Sequence, residues 1–110
     1  PYSVTVSRKP DFCLVYLENG ELRRWVIIDA KYRTASSSIN EALASMHVYR
    51  DSLLWWCPKG ETLQPAAGGY LLVPAISPEC ERYGDTRYLT KWHLGLIRVD
   101  DAALTRCLEL

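Results

Sequence analysis

Residues 9–33, KPDFCLVYLENGELRRWVIIDAKYR, contain two apolar runs that each carry ionisable residues at one end. Asp11 opens the first run, and Asp29 with Lys31 closes the second. Between the runs, Glu18-Asn19-Gly20-Glu21 is a strong turn signal, so we predict a β-hairpin. An ionised group at the end of a buried strand costs free energy unless a partner compensates it. These three residues are therefore candidates for a site.

Whether the three charges share a face depends on the register of the hairpin. Side chains alternate along a strand, so Asp29 and Lys31 point to the same face. A two-residue loop at Asn19-Gly20 places Asp11 on the face opposite to that of Asp29. A three-residue loop with a left-handed Gly20 instead places Asp11 opposite Ile27, on the face of Asp29. The three charges can therefore cluster only if this hairpin has a loop with an odd number of residues, or a bulge. If Asp11 and Asp29 lie on opposite faces instead, their role is purely structural.

The remaining sequence predicts further strands and two helices around this hairpin. Residues 2–7 alternate between apolar and polar, and residues 25–30 are continuously apolar, as in a strand covered on both faces. Ser38-Ile39-Asn40-Glu41 matches a helix capping box, and the apolar spacing continues to near Trp56. We predict strands over 69–76 and 92–99, a loop over 79–90, and a terminal helix capped by Asp100 or Asp101. The order indicates one mixed α/β domain over residues 1–110.

Composition limits the class of protein. The chain has 110 residues, is 48% hydrophobic and 24% charged, and has no formal net charge. These values are typical of a single ordered domain, and the neutral total counts mildly against a nucleic-acid binder without excluding a local basic patch. The four scattered cysteines predict reduced thiols and a cytoplasmic protein. No signal peptide or membrane-length apolar segment is evident, and the start at Pro1 suggests a C-terminal fragment of a longer protein.

The charged residues of the hairpin suit metal-assisted chemistry if they share a face. Two neighbouring carboxylates repel each other, and a hard cation such as Mg²⁺ relieves that repulsion through oxygen ligands. The carbonyl of Ala30 is a further ligand candidate, and Lys31 can orient a water or stabilise charge on a phosphate. The alternative interpretation is a salt bridge between an aspartate and a lysine at a strand end.

The motif residues resemble a known family. Pro10-Asp11, followed after a strand by Asp29-Ala30-Lys31, is similar to the motif of the PD-(D/E)XK nucleases, the restriction-endonuclease-like superfamily. The segments DAKYR (29–33), MHVYRD (46–51) and GGYLLVP (68–74) are similar to a bacterial branch associated with McrBC-type restriction systems. The resemblance implies a restriction-endonuclease-like core, with a central mixed β-sheet flanked by helices.

The resemblance also implies an activity and a site. It implies a metal-dependent DNA endonuclease of bacterial restriction or defence, with Mg²⁺ as cofactor and Mn²⁺ as a substitute. Asp11 and Asp29 would bind the metal with the Ala30 carbonyl, and Lys31 would be the catalytic lysine. The implied partners are DNA, a McrB-like GTPase of the AAA+ class and a second copy of the chain, without a membrane. The substrate-binding residues that the resemblance implies are Arg33, His47, Tyr49 and Arg50.

Two alternatives remain open at the level of sequence. One is a nuclease-like domain that binds DNA or a partner subunit without cleavage, which Ser45 favours because relatives in that branch carry glutamine there. The absence of an acid before Asp11 favours the same alternative, because members of the superfamily often supply a glutamate there.

The second open alternative concerns the predicted helix. The His47 side chain suits either contact with a phosphate or a position at the boundary between core and solvent. The Arg50 guanidinium should contact either the Asp29 carboxylate or a phosphate.

Overall fold

The computed structural model describes residues 2–3, 12–31, 36–57 and 61–110. A short 3₁₀ helix, Pro78–Gly84, precedes α2. In chain order the other elements are β1 (Tyr2–Ser3), β2 (Phe12–Glu18), β3 (Glu21–Ala30), α1 (Ser36–Ser52), β4 (Leu53–Cys57), β5 (Thr62–Pro65), β6 (Gly68–Val73), α2 (Thr86–Trp92), β7 (Leu94–Arg98) and α3 (Ala103–Glu109).

The strands form two sheets. The central sheet has the order β2-β3-β6-β7, in which β2 is antiparallel to β3 and the other neighbours are parallel. The smaller sheet has the order β1-β4-β5 and is antiparallel throughout. The predicted mixed α/β fold, with a mixed central sheet flanked by helices, is confirmed.

Helices cover both faces of the central sheet, which explains the continuous apolar sequence of β3. Trp25 and Ile27 pack in one core cluster with residues of α1 such as Met46. The alternating residues Val26 and Ile28 pack in a second cluster with residues of α3. All four of these β3 side chains are fully buried. Within the described residues, no helix has the length and apolar content needed to cross a bilayer.

The predicted bounds of α1 were wrong at both ends. The helix begins at Ser36, so Ser38 lies inside its first turn rather than at the cap. It ends at Ser52, whose hydroxyl donates to the Val48 carbonyl, and the segment predicted to be helical up to Trp56 is strand β4. A contact between residues that are distant in sequence favours the strand over a continued helix: the Trp55 ring lies 5.5 Å from the ring of Trp25.

The segment after β6 was also predicted incorrectly. Residues 79–90 were expected to form a loop, but they contain the 3₁₀ helix and most of α2. The Asp85 carboxylate accepts a hydrogen bond from the backbone N–H of Arg87 and so caps α2. The terminal helix is confirmed as α3, but its N-cap residue is Ala102 and not Asp100 or Asp101. The Asp100 carboxylate accepts from the backbone N–H of Ala102, just before the helix. The predicted strand over 2–7 is described only at Tyr2–Ser3.

Substituting Trp25 with phenylalanine tests this core. The indole Nε1 of Trp25 donates to the Gln64 carbonyl at 2.9 Å, and the side chain is fully buried. The Trp25→Phe variant loses this hydrogen bond and part of the ring volume, so we expect a loss of about 1–3 kcal/mol in unfolding free energy. Urea denaturation measures it. Trp56→Phe is the control because Trp56 is 38% exposed, and an equal loss in both variants would contradict the assignment.

Candidate active site

The β2–β3 hairpin contains both a two-residue loop and a bulge. Asn19 (φ 53°) and Gly20 (φ 79°) both have left-handed backbones, as a type I′ turn requires. Leu17 lies opposite Leu22, whereas Tyr16 lies opposite Arg24. Arg23 is therefore an extra residue in β3, and the register of the hairpin shifts by one at this point.

The bulge sets which side chains of the two strands share a face. Beyond it, Phe12 lies opposite Ile28 and Cys13 lies opposite Ile27. Cys13 accordingly packs against the α1-side cluster that contains Trp25 and Ile27, the face on which Asp29 follows by alternation. The offset that a clustered site requires is thus present in the described strands. Asp11 lies outside the described residues.

Asp29 and Lys31 lie at the carboxyl end of β3. Asp29 is paired with Leu71 of the neighbouring parallel strand, and the backbone N–H of Lys31 donates to the Leu72 carbonyl at 2.9 Å. The Lys31 ammonium lies 2.9 Å from the Asp29 carboxylate. The Asp29 side chain is 11% exposed and that of Lys31 is 42% exposed. The result is a nearly buried carboxylate covered by a lysine that reaches solvent.

The salt bridge given above as the alternative interpretation is thus present, and the same two side chains are also those that a metal-assisted hydrolytic site uses. A carboxylate at the rim of a sheet suits Mg²⁺, which one or two carboxylates bind in proteins while water completes the coordination. Ala30, between the two charged residues, is the last residue of β3, so its carbonyl lies at the same edge. Within the described residues, no group of three or more His, Cys, Asp or Glu side chains could hold a metal ion. Asp29 is the carboxylate that the described residues place beside Lys31 at this edge of the sheet.

Arg50, one of the predicted substrate-binding residues of α1, lies apart from this pair. Arg50 donates from Nη1 to the Trp92 carbonyl at 2.6 Å, and its Nε lies 3.3 Å from the Asp51 carboxylate. Trp92 precedes β7, so Arg50 is held where the parallel strands begin, whereas Asp29 lies where β3 ends. The acid that Arg50 reaches is Asp51 and not Asp29.

The other predicted substrate-binding residues are only partly located. The His47 imidazole lies 2.9 Å from the Asp51 carboxylate and is 56% exposed. Tyr49 is half-buried and packs against the α1-side core cluster. Arg33 lies outside the described residues. A role for these residues in substrate binding remains a prediction.

A buried polar cluster on the opposite face of the sheet was not predicted from the sequence. The Tyr70 hydroxyl and the Nε and Nη2 atoms of Arg24 are buried without a hydrogen-bond partner among the described residues. Burial raises the pKa of Tyr70 to about 12, against the lowering effect of the Arg24 charge. The sequence did contain a signal for this cluster: Arg24 alternates with Val26 and Ile28 along β3, which places it on the α3 side of the sheet. The cluster is thus separate from Asp29.

Comparison with known proteins gives a match to a family model. A family model described as the PD-(D/E)XK nuclease superfamily matches residues 1–77, more than half of the chain. The matched segment includes the hairpin, α1 and β6, and therefore both Asp29 and Lys31. No curated protein and no solved structure matches the chain significantly.

Proposed function

The chain belongs to the PD-(D/E)XK nuclease superfamily, and from that premise we propose that it is a Mg²⁺-dependent DNA endonuclease domain. The observation that carries the proposal is the ion pair of Asp29 and Lys31, held at 2.9 Å at the carboxyl end of β3. A family match alone gives a class of fold and chemistry, whereas this pair gives a place where the chemistry can occur.

The proposed roles follow from the burial of the two side chains. Asp29 is nearly buried and rigidly placed by pairing with β6, so it suits the role of a metal ligand. Lys31 reaches solvent from the same face and suits the role of orienting the attacking water or stabilising charge on the phosphate. When bound, Mg²⁺ would polarise a phosphoryl oxygen and lower the pKa of a coordinated water. We assign Asp11 as the second acidic ligand and the Ala30 carbonyl as a third.

The position of Asp11 in the proposal rests on the hairpin. Asp11 precedes Phe12, the first residue of β2, and the bulge at Arg23 supplies the one-residue offset that clustering with Asp29 requires. Without this offset the alternation of side chains would direct the two carboxylates to opposite faces. The described register therefore supports the assignment of Asp11.

The biological setting is part of the same proposal. The similarity of DAKYR (29–33) and MHVYRD (46–51) to the McrBC-associated branch supports a role in bacterial restriction or defence. A McrB-like GTPase or a second copy of the chain is the proposed protein partner. Strand β2 lies at an edge of the central sheet with four exposed apolar side chains, which supply a surface for such a contact: Phe12, Val15, Tyr16 and Leu17.

Cleavage of supercoiled plasmid DNA tests the function. The purified chain is incubated with Mg²⁺, with Mn²⁺ or with EDTA, and the conversion to nicked and linear forms is measured. We expect conversion with either metal and none with EDTA. Salt-sensitive DNA binding without cleavage in any metal would instead select the alternative of a nuclease-like binding domain. An RNA substrate in parallel distinguishes a deoxyribonuclease from a ribonuclease.

Metal binding can be tested independently of cleavage by thermal unfolding. A ligand that binds only the folded state stabilises it, by about 2.7 kcal/mol at a concentration one hundred times its Kd. We expect Mg²⁺ to raise the Tm of the parent and to have little effect on the Asp29→Asn variant. Asp101→Asn is the matched control because Asp101 is exposed and distant from β3 along the chain. An equal rise of Tm in the parent and in Asp29→Asn would contradict the metal assignment.

A further inference from the structure

Helix α2 presents charged and aromatic side chains in two adjacent rows. Arg87 and Lys91 are four residues apart, as are Tyr88 and Trp92, so each pair lies on one side of the helix. The Trp92 side chain is 52% exposed, and the Lys91 ammonium lies 5.0 Å from the centre of its ring. The Arg87 side chain is 94% exposed. We refer to these four residues as the α2 platform.

The backbone beneath Trp92 is fixed although its ring is exposed. The Trp92 carbonyl accepts a hydrogen bond from Arg50, and the backbone N–H of His93 donates to Leu89. The left-handed backbone of His93 (φ 52°, ψ 40°) ends the helix, and its carbonyl accepts from Gly69 of the sheet. An exposed aromatic ring on a rigid backbone loses little conformational entropy when a ligand stacks on it.

The charges around the platform favour an anionic partner. Lys91 lies over the Trp92 ring, Arg50 donates to the Trp92 carbonyl, and Arg87 lies on the same helix. The acids nearest to these cations in sequence are Asp85 and Asp51. Asp51 is engaged by both Arg50 and His47, and Asp85 is the cap of α2 with its carboxylate 3.7 Å from Arg87. The Trp92 ring is exposed, whereas the half-buried Tyr88 ring packs edge-on against Tyr83 with the ring centres 5.3 Å apart and keeps only part of its surface free. Exposed cations beside aromatic rings form the combination that binds single-stranded nucleic acid, through phosphate contacts and base stacking.

Comparison with the other exposed tryptophan supports this choice of partner. Trp56 of β4 is 38% exposed and lies directly opposite Leu63, which is 50% exposed. This pair is apolar on both strands and suits a contact with protein rather than with phosphate. Trp92 differs in having a cation over its ring.

We propose that the α2 platform binds unpaired bases of a nucleic-acid strand, with Tyr88 and Trp92 stacking on the bases and Arg87 and Lys91 contacting the phosphates. The proposal rests on the proposed nuclease function and extends it to a second contact surface. α2 lies outside the matched residues 1–77, so the platform does not belong to the part of the chain that defines the family. Trp92 precedes β7, whereas Asp29 lies one residue before the end of β3, so the platform would contact the nucleic-acid strand away from the ion pair.

Binding of a fluorescein-labelled 12-nucleotide single strand in EDTA tests the platform without any cleavage. Loss of one base–aromatic stack should weaken binding about tenfold in Trp92→Ala, while Trp92→Phe should remain within about threefold of the parent. Trp56→Ala is the matched control and should bind as the parent does. Arg87→Ala and Lys91→Ala should each reduce the slope of log K against log salt by about 0.7. Thermal unfolding confirms that each variant is folded.

Each remaining outcome overturns the proposal. Unchanged affinity in Trp92→Ala would mean that the platform contacts protein or solvent instead of nucleic acid. If Trp92→Ala weakens binding of a duplex of the same sequence by the same factor, stacking on unpaired bases is excluded. If the parent does not bind the single strand, the α2 platform is excluded as a nucleic-acid-binding surface. The proposed nuclease function is tested separately. If the chain binds the strand through Trp92 but does not cleave DNA with Mg²⁺ or Mn²⁺, the α2 platform is supported and the nuclease function is refuted.

Discussion

The Asp29→Asn variant is expected to cleave plasmid DNA at least about a hundredfold more slowly than the parent in Mg²⁺. Asparagine keeps the shape of the side chain but removes the negative charge that would hold the cation at the end of β3. Deleting one group that stabilises transition-state charge in an active site lowers kcat by about 10²–10³-fold. Initial rates of nicking, measured at saturating DNA, report the loss.

Lys31→Met should cause a loss of similar size for a different reason. The Lys31 ammonium lies 2.9 Å from Asp29 and its side chain is 42% exposed, so methionine preserves the stem while removing the charge that would act on the phosphate. Metal-dependent stabilisation should persist in Lys31→Met, whereas it should disappear in Asp29→Asn. This difference separates the two proposed roles.

Asp101→Asn serves as the control for both variants because it removes an exposed carboxylate elsewhere on the chain. Cleavage at the parental rate by both Asp29→Asn and Lys31→Met would refute the assignment of the active site. Loss of cleavage accompanied by loss of folding would be recognised from the unfolding curve. Only variants that remain folded are compared, first for cleavage and then for stabilisation by Mg²⁺.

The Gly95→Ala substitution is expected to reduce the stability of the protein more than any other single change considered. Gly95 has a φ of 151°, a conformation that residues with a Cβ atom rarely adopt, and it is the second residue of β7. A Cβ atom at this position would overlap the Tyr83 carbonyl oxygen, and it would lie 2.5 Å from a methyl carbon of Leu89. The oxygen belongs to the backbone of the 3₁₀ helix, so a rotamer change of one side chain cannot relieve the overlap.

We expect Gly95→Ala to lose about 4 kcal/mol or more of unfolding free energy, which is a large share of the roughly 5–15 kcal/mol that stabilises a typical domain. Gly20→Ala is the matched control. Gly20 also has a left-handed backbone (φ 79°), but no atom lies within 4 Å of a Cβ placed there, so only about 1 kcal/mol should be lost. Urea denaturation of both variants gives the comparison. Equal losses would show that the Tyr83 contact does not matter.

The elements predicted well from the sequence are those that local chemistry decides. Asn19-Gly20 specifies the turn, and the continuous apolar run of β3 indicates burial on both faces, because both signals lie within the segment itself. The same alternation placed Asp29 and Lys31 on one face, where the structure has them as an ion pair. An odd loop or a bulge was predicted as the requirement of a clustered site, and the structure has a two-residue loop with a bulge at Arg23. No local pattern in the sequence indicated which of the two would occur, or where.

Two of the errors have a different physical cause, which is contact between distant segments. Leu53–Cys57 continues the apolar spacing of α1, yet it forms a strand because Trp55 packs on Trp25 and the segment pairs with β5. The partner of Arg50 was predicted to be Asp29 or a phosphate. The carbonyl that it contacts is that of Trp92, 42 residues later in the chain, and no local pattern indicated that α2 would end there.

The single extra residue at Arg23 has a consequence for the lengths that this hairpin can adopt. Deleting Arg23 alone, or lengthening the Asn19-Gly20 loop by one residue alone, would turn every side chain between Phe12 and Tyr16 to the other face of the sheet relative to Asp29. The two changes made together would cancel. Insertions and deletions in this hairpin should therefore be accepted in even numbers or in compensating pairs, and a homologous sequence that lacks the bulge residue should carry a loop one residue longer.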